Sequence, residues 1–205
     1  MLFVEKKIPI RTILLENKVL YIKMIIGLVG RSRSGKDTVA RHIRNMAPWY
    51  EVRRLAQPVK DSIKALYSWD ERHTEGDLKE VFDPIVGKSP RQAMIQTAER
   101  VKKESGQDFF IKSLLNTWNN KQYIVIPDVR FQNECDLIRK NGGVLIKIER
   151  SESSHFSWED SIDMILTEYT LHNTSLQSLQ KQVAGIFQSI HPEYGQDVEL
   201  SRHGL

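Results

Sequence analysis

A chain of 205 residues with 40% apolar residues can bury one sizeable core and gives little room for a second domain. Its 30 lysines and arginines stand against 26 aspartates and glutamates, for a formal charge of +4. The signs interleave, which excludes a polybasic nucleic-acid tail, and a polyphosphate ligand accounts for the small excess as well as a polynucleotide would. Cys135 is the sole cysteine, so no intrachain disulfide can form and a reducing compartment, the cytosol, is the default. The six histidines lack metal-ligand spacing, which argues against a built-in zinc site.

Residues 1–23 hold two apolar patches, at Ile8 to Ile10 and Ile13 to Leu15, that charges interrupt before they reach membrane-spanning length. They have no signal-peptide block and cleavage site, and read as an extension peripheral to the chemistry. Met24 to Val29 is an apolar, β-branched run closed by glycine, the pattern of a buried parallel strand feeding a tight turn, and is the first strand expected. Lys36 to Met46 has helical periodicity and Pro48 beyond it. Tyr50 to Leu55 reads as a weak second strand, and Pro58 to Trp69 as a helix with proline in its first turn.

Residues 70–88 are charged and aperiodic, an irregular insertion. Ser89-Pro90 opens a helix that Gly106 ends after Ser105, and a further helix is expected from Gln107 to Asn119. Tyr123 to Ile126 is a second core strand, followed by Pro127 to Arg130 and a helix stopped by Asn141-Gly142-Gly143. Val144 to Ile148 is a third. Residues 150–161 look like a loop or lid, Ile162 to Leu166 like a last short strand, and Thr174 to Ile190 like an amphipathic helix burying Leu176, Leu179, Val183, Ile186 and Phe187. The alternation of strands and helices predicts an α/β fold of three layers, a parallel sheet covered by helices on both faces, with ligands at the carboxyl ends of the strands.

Gly30 to Lys36 satisfies G-x-x-x-x-G-K, between a predicted buried strand and a helix. Glycines let the backbone curl so that amides converge on phosphate oxygens, the helix N-terminus adds partial positive charge, and Lys36 reaches the β and γ phosphates. Gly30, Arg33, Ser34, Gly35, Lys36, Asp37 and Thr38 are therefore the candidate nucleotide-binding residues. Asp37 stands where a magnesium-binding hydroxyl is usual, with Thr38 one residue later. It fits either a magnesium ligand, direct or through water, or a helix N-terminal charge with no metal role.

Gly30 to Thr38, with its Gly-Lys-Asp-Thr ending, resembles the P-loop of the deoxynucleoside monophosphate kinases of large bacteriophages and large DNA viruses. Leu55 to Asp61, Ser89 to Gln92 with Gln96-Thr97, Ile124 to Arg130, and Asn173 to Leu176 look similar in the same order. Together these segments span residues 24 to about 188. The resemblance implies a P-loop kinase that uses ATP and Mg2+ to phosphorylate a small (deoxy)nucleoside 5′-monophosphate. No polynucleotide or membrane partner is expected, because basic tracts and apolar spans are missing, and the expectation is a monomer or homodimer in the cytoplasm, of the host if the chain is viral. The resemblance divides the chain into an extension (1–23), a kinase domain (24–190) with a lid at about 150–161, and a tail (191–205). Two departures bear on base preference: Ala98 to Lys103 intervene before Gly106 where the family often has Gly-Thr, and the insertion at 70–88 is short.

Phosphoryl transfer requires cations that align two anions and neutralise spreading charge. Lys36 serves the donor. Arg130, beyond a strand end, can bridge donor and acceptor phosphates with its fork of donors, and Asp128 can hold magnesium through water or accept from the acceptor. An ion pair capping the next helix is the alternative for both. Arg91, in its helix's first turn, is a candidate for the acceptor's phosphate, chiefly through the resemblance, with Lys60 and Gln96 as further candidates for phosphate and base. A lysine on a helix surface is usually a solvated side chain, and that is the stronger reading for Lys60. Arg150 begins the lid and can cover the triphosphate, or be a plain strand-end charge. Asn173 lies where similar kinases contact adenine, although a helix N-cap at Asn173 or Thr174 explains it too. The rival readings are a P-loop kinase of another acceptor, such as phosphomevalonate or dephospho-coenzyme A, and a nucleotide-binding switch module.

Overall fold

The computed structural model describes residues 12–15, 18–21, 24–118, 123–150 and 160–192. They form two compact units, one from the described residues up to Val52 and from Tyr123 onward, and the other from Arg53–Trp118.

The first unit opens with an antiparallel hairpin, β1 (Thr12–Leu15) on β2 (Lys18–Tyr21), within the segment read from sequence as an extension. The main sheet is built from β3 (Met24–Val29), β4 (Tyr50–Val52), β5 (Tyr123–Val129), β6 (Val144–Glu149) and β7 (Tyr169–His172). Its order is β4-β5-β3-β6-β7, and every pairing is parallel. Parallel strands need crossover helices, which cover both faces and make the central strands apolar throughout. Each residue of β3 is accordingly buried.

On one face Met24, Ile26 and Leu28 pack with Val39, Ala40 and Ile43 of α1 (Lys36–Met46) and with Leu179, Val183 and Phe187 of α8 (Leu176–Ile190). On the other, Ile25 and Gly27 face α6 (Gln132–Lys140): a Cβ on Gly27 would stand 2.8 Å from Ile138 and 2.7 Å from Leu145. This is the three-layer α/β architecture of the P-loop kinases.

Several elements differ from the sequence reading. β5 continues through Pro127 and Asp128 to Val129. The proline is tolerated because β4 stops pairing at Val125 and the register with β3 shifts between Gly27 and Val29, so its missing N–H costs no ladder bond. Ile162 to Leu166 is not a strand. Ile162 lies in a short helix, α7 (Asp160–Asp163), both Ile162 and Ile165 are buried, and the edge strand is Tyr169–His172. The N-cap of α8 is Ser175, which accepts from the Ser178 amide, so neither Asn173 nor Thr174 caps it. Leu176, expected inside, is 59% exposed because it occupies the first helical position, outside the packed stripe. Most of the expected lid falls outside the described residues.

The second unit is helical: α2 (Gln57–Tyr67), α3 (Glu71–Thr74), a 3-10 turn (Asp77–Glu80), α4 (Pro90–Ser105) and α5 (Phe109–Thr117). Ser68, at φ 57°, ends α2 before Trp69, which instead packs with Ile63 and Ala93. The stretch expected to be irregular is hydrogen-bonded. Asp70 caps α3, and Asp83 accepts from Trp69 Nε1 at 2.9 Å and from the Ile85 and Val86 amides. Ser89 and Gln92 form the reciprocal capping box of α4.

Candidate active site

The loop between β3 and α1 is coiled. Its Ser34 amide turns back to the Arg31 carbonyl at 3.2 Å, and Gly35 enters α1 at φ 108°. Arg33 at the loop tip also has positive φ, 61°, the one non-glycine in that region within the loop. Both glycines are required by close approach. A Cβ on Gly30 would stand 2.5 Å from the Ile148 carbonyl oxygen, and one on Gly35 would stand 2.5 Å from Asn173 Nδ2. The Lys36 ammonium folds over this coil and donates to the Gly30 and Arg31 carbonyls, each at 2.6 Å. It therefore stays within the loop's own hollow.

A second contact holds the loop from below. Asn173, directly after β7, donates from Nδ2 to the Ser34 carbonyl at 2.8 Å, while its amide donates to the Glu149 carbonyl at 2.7 Å. The side chain expected to meet adenine ties the phosphate loop to the ends of β6 and β7. Ser34 Oγ is buried beneath the coil and has no hydrogen-bond partner among the described residues. Arg31 reaches outward to Asp163 of α7, with Nη2 to Oδ2 at 2.6 Å. Beside it is a hollow of about 280 Å³, lined by Gly30, Lys147, Glu149, Arg150 and Asp163 among others, at the carboxyl ends of the central strands. This is where an open parallel sheet takes its ligands.

Asp37 is exposed in the first turn of α1, and Thr38 is half-buried beside it. On the neighbouring strand Asp128 is half-buried one residue from the end of β5, with Arg130 half-buried immediately beyond. Arg150 is exposed directly after β6. The sequence reading missed Glu134. The residue is 4% exposed, and one carboxylate oxygen, Oε2, accepts from the Arg130 amide at 2.8 Å and the Phe131 amide at 3.1 Å. The available signal was a glutamate three residues after an N-cap. The N-cap is Phe131, which has no acceptor, so the usual Ser or Thr cue was missing.

Of the residues expected on the acceptor side, Lys60, Arg91 and Gln96 lie in the helical unit, where each is already engaged, and Arg130 lies in the first unit. Lys60 is not a solvated helix lysine: it is buried and ion-paired with Glu75. Arg91 opens α4 and pairs with Glu80 at 2.5 Å, and Gln96, exposed, accepts from Lys88 at 2.6 Å. Acidic residues of the 70–80 stretch thus pair with Lys60 and Arg91.

For ATP and magnesium, the donor set fits. The loop keeps a coil that a Cβ at either glycine would fill, with a lysine over it. Among the described residues no three carboxylate, histidine or cysteine side chains converge. Magnesium is commonly held by only one or two carboxylates together with substrate phosphates, a demand that Asp37 and Asp128 can meet.

Comparison with known proteins gives the same direction. A protein of Acanthamoeba polyphaga mimivirus named "Putative deoxynucleotide monophosphate kinase" is 28% identical over 187 residues, which are 78% of this chain and 94% of that protein. The resemblance holds. No protein-family model matches the chain. Among solved structures, dephospho-CoA kinase from Campylobacter jejuni is 12% identical, with a TM-score of 0.45 over 82% of this chain and 98% of that one. Shikimate kinase from Aquifex aeolicus is 10% identical, with a TM-score of 0.46 over 81% and 97%. Assignment to the P-loop kinase fold rests on the parallel sheet and its glycine loop, and no described helix is long and apolar enough to cross a membrane.

Proposed function

We propose that this chain is an ATP-dependent kinase that moves the γ-phosphoryl group to a (deoxy)nucleoside 5′-monophosphate, giving ADP and the (deoxy)nucleoside diphosphate. The observation that carries the reading is the coiled loop between β3 and α1 with the Lys36 ammonium held over it, in a chain whose viral relative bears the kinase name. Amides of residues 30–38 and the N-terminus of α1 cradle the donor phosphates, and Lys36 exchanges its carbonyl partners for phosphate oxygens. Magnesium at Asp37 or Asp128, when bound, neutralises charge on the triphosphate. Arg130 leaves the same end of the sheet and stabilises the transferring group, where a planar, permanently charged fork is most useful. Arg91, Lys60 and Gln96 receive the acceptor, exchanging Glu80, Glu75 and Lys88 for its phosphate and base.

The test is turnover. Purified protein with ATP and magnesium should form ADP when a nucleoside monophosphate is added and very little without one. Lys36→Met should abolish that turnover while leaving the circular dichroism spectrum and melting temperature close to wild type. Background turnover with every ribo- and deoxynucleoside monophosphate would remove the assignment. Turnover with phosphomevalonate or dephospho-coenzyme A alone would move the chain to another acceptor class.

A further inference from the structure

We propose that Glu134 is a positioning residue for phosphoryl transfer, one whose buried carboxylate sets the backbone from which the Arg130 guanidinium reaches the reacting phosphates. The inference rests on the kinase reading of the site and adds a residue to it.

Three observations converge. The first is where the carboxylate is spent. A capping-box glutamate at the third helical position normally returns to the amide of the N-cap residue. Here Oε2 spans two amides, and the shorter bond, 2.8 Å, goes to Arg130, one residue upstream of the N-cap and outside the helix. The second is burial. Glu134 is 4% exposed, while Gln132 and Asp136 on the same helix face water. Sequestering a carboxylate is costly unless charge-assisted hydrogen bonds offset it, and two converging N–H groups provide these. The third is the chain path. Arg130 stands where β5 has ended and α6 has not begun, one residue before the N-cap Phe131. The Phe131 carbonyl already opens the helix by accepting from the Glu134 and Cys135 amides, whereas Arg130 lies outside both elements, so a shift of the amide that Glu134 holds moves the arginine with it. Transition-state stabilisation is sensitive to such displacement: a misplacement of about 1 Å can cost on the order of a hundredfold in rate.

Glu134 touches neither nucleotide in this account and acts through Arg130. Removing it should therefore lower kcat while leaving the KM for ATP unchanged, because donor binding belongs to the β3–α1 loop. E134A is expected to lower kcat by about 10–100-fold. E134Q keeps an oxygen that can accept both amides and should recover to within a few fold of wild type. In the double-mutant cycle, R130A/E134A should be no slower than R130A alone, since a pivot without its side chain has nothing to aim. If E134A does not fold, E134D, one methylene too short to span both amides, takes its place in the same cycle.

A role confined to capping α6 predicts a lower melting temperature and wild-type kcat in the surviving folded protein, while an effect that does not act through Arg130 predicts losses that multiply in the double variant. Either of the last two results overturns the proposal. Wild-type protein that turns over no acceptor at all is a different failure, which falls on the kinase reading and takes this inference with it.

Discussion

Asn173 offers the sharpest separation between two accounts of the donor site, and N173A is the variant that makes it. If the side chain acts as the structure places it, its loss removes one hydrogen bond, Nδ2 to the Ser34 carbonyl at 2.8 Å, and leaves the main-chain bond from the Asn173 amide to Glu149 intact. One neutral, half-buried bond of this kind contributes about 0.5–1.5 kcal/mol net. A central value of about 1 kcal/mol corresponds to roughly a fivefold change in an equilibrium constant. For a chain of this size it lowers Tm by about 2–4 °C. The Ser34 carbonyl belongs to the phosphate loop, so the same loss frees the loop to leave its coiled state, and nucleotide affinity falls by up to about the same factor, whatever the base. The measurement pairs a thermal melt with calorimetric titration of ATP and GTP against wild type and N173A, both with magnesium. Loop clasping predicts a lower Tm and a proportional weakening for both nucleotides. Unchanged Tm with weakening for ATP alone would refute it and return Asn173 to the adenine contact expected from sequence.

Two further outcomes concern stability. Glu168 accepts Arg139 Nε at 2.8 Å and the Leu145 amide at 2.8 Å, stapling the approach to β7 onto α6 and the start of β6. Partial burial alone pushes this carboxyl up, but the Arg139 guanidinium and the amides that bond it prevail and hold it below the ordinary 4.5. Because the folded value is the lower one, the staple's contribution is complete above about pH 4.5 and is lost as pH falls through the depressed value. The urea midpoint of wild type should fall between about pH 5 and pH 3 more steeply than that of E168Q, and equal slopes would discard the staple. Cys135 is buried against the sheet, which pushes its thiol up to about 12, with the neighbouring Glu134 charge adding to the effect. A thiol-specific disulfide reagent at pH 8 should therefore modify the folded protein only as fast as it unfolds, with one equivalent per chain appearing in denaturant. Rapid labelling of native protein would contradict this burial.

How much of this was legible beforehand depends on the range over which each feature is determined. α1 and α4 begin and end as read, because a glycine or Ser-Pro start and a proline or glycine stop act on their own backbone within a turn. The phosphate loop is encoded the same way: glycine supplies the dihedral angles, and the lysine bonds carbonyls five and six residues back. The last strand was misplaced because Ile162 and Ile165 are buried without being extended. The true edge strand exposes Thr170 and His172 and so shows too little apolar pattern to compete. Lys60 looked solvated because its partner, Glu75, is in a stretch with no period of its own.

Asn173 marks the limit most clearly. Its hydrogen bond to Ser34 joins residues 139 apart in sequence, across the order of the sheet. A loop motif says that phosphate can be cradled at Gly30 to Thr38, but only the β7–α8 turn says what keeps the cradle closed before the ligand arrives. That turn can do so because a Cβ at Gly35 would collide with the amide group of Asn173. The glycine that the motif demands for phosphate thus also admits the clasp, so that one position serves a local and a long-range requirement, of which the sequence displays the first alone.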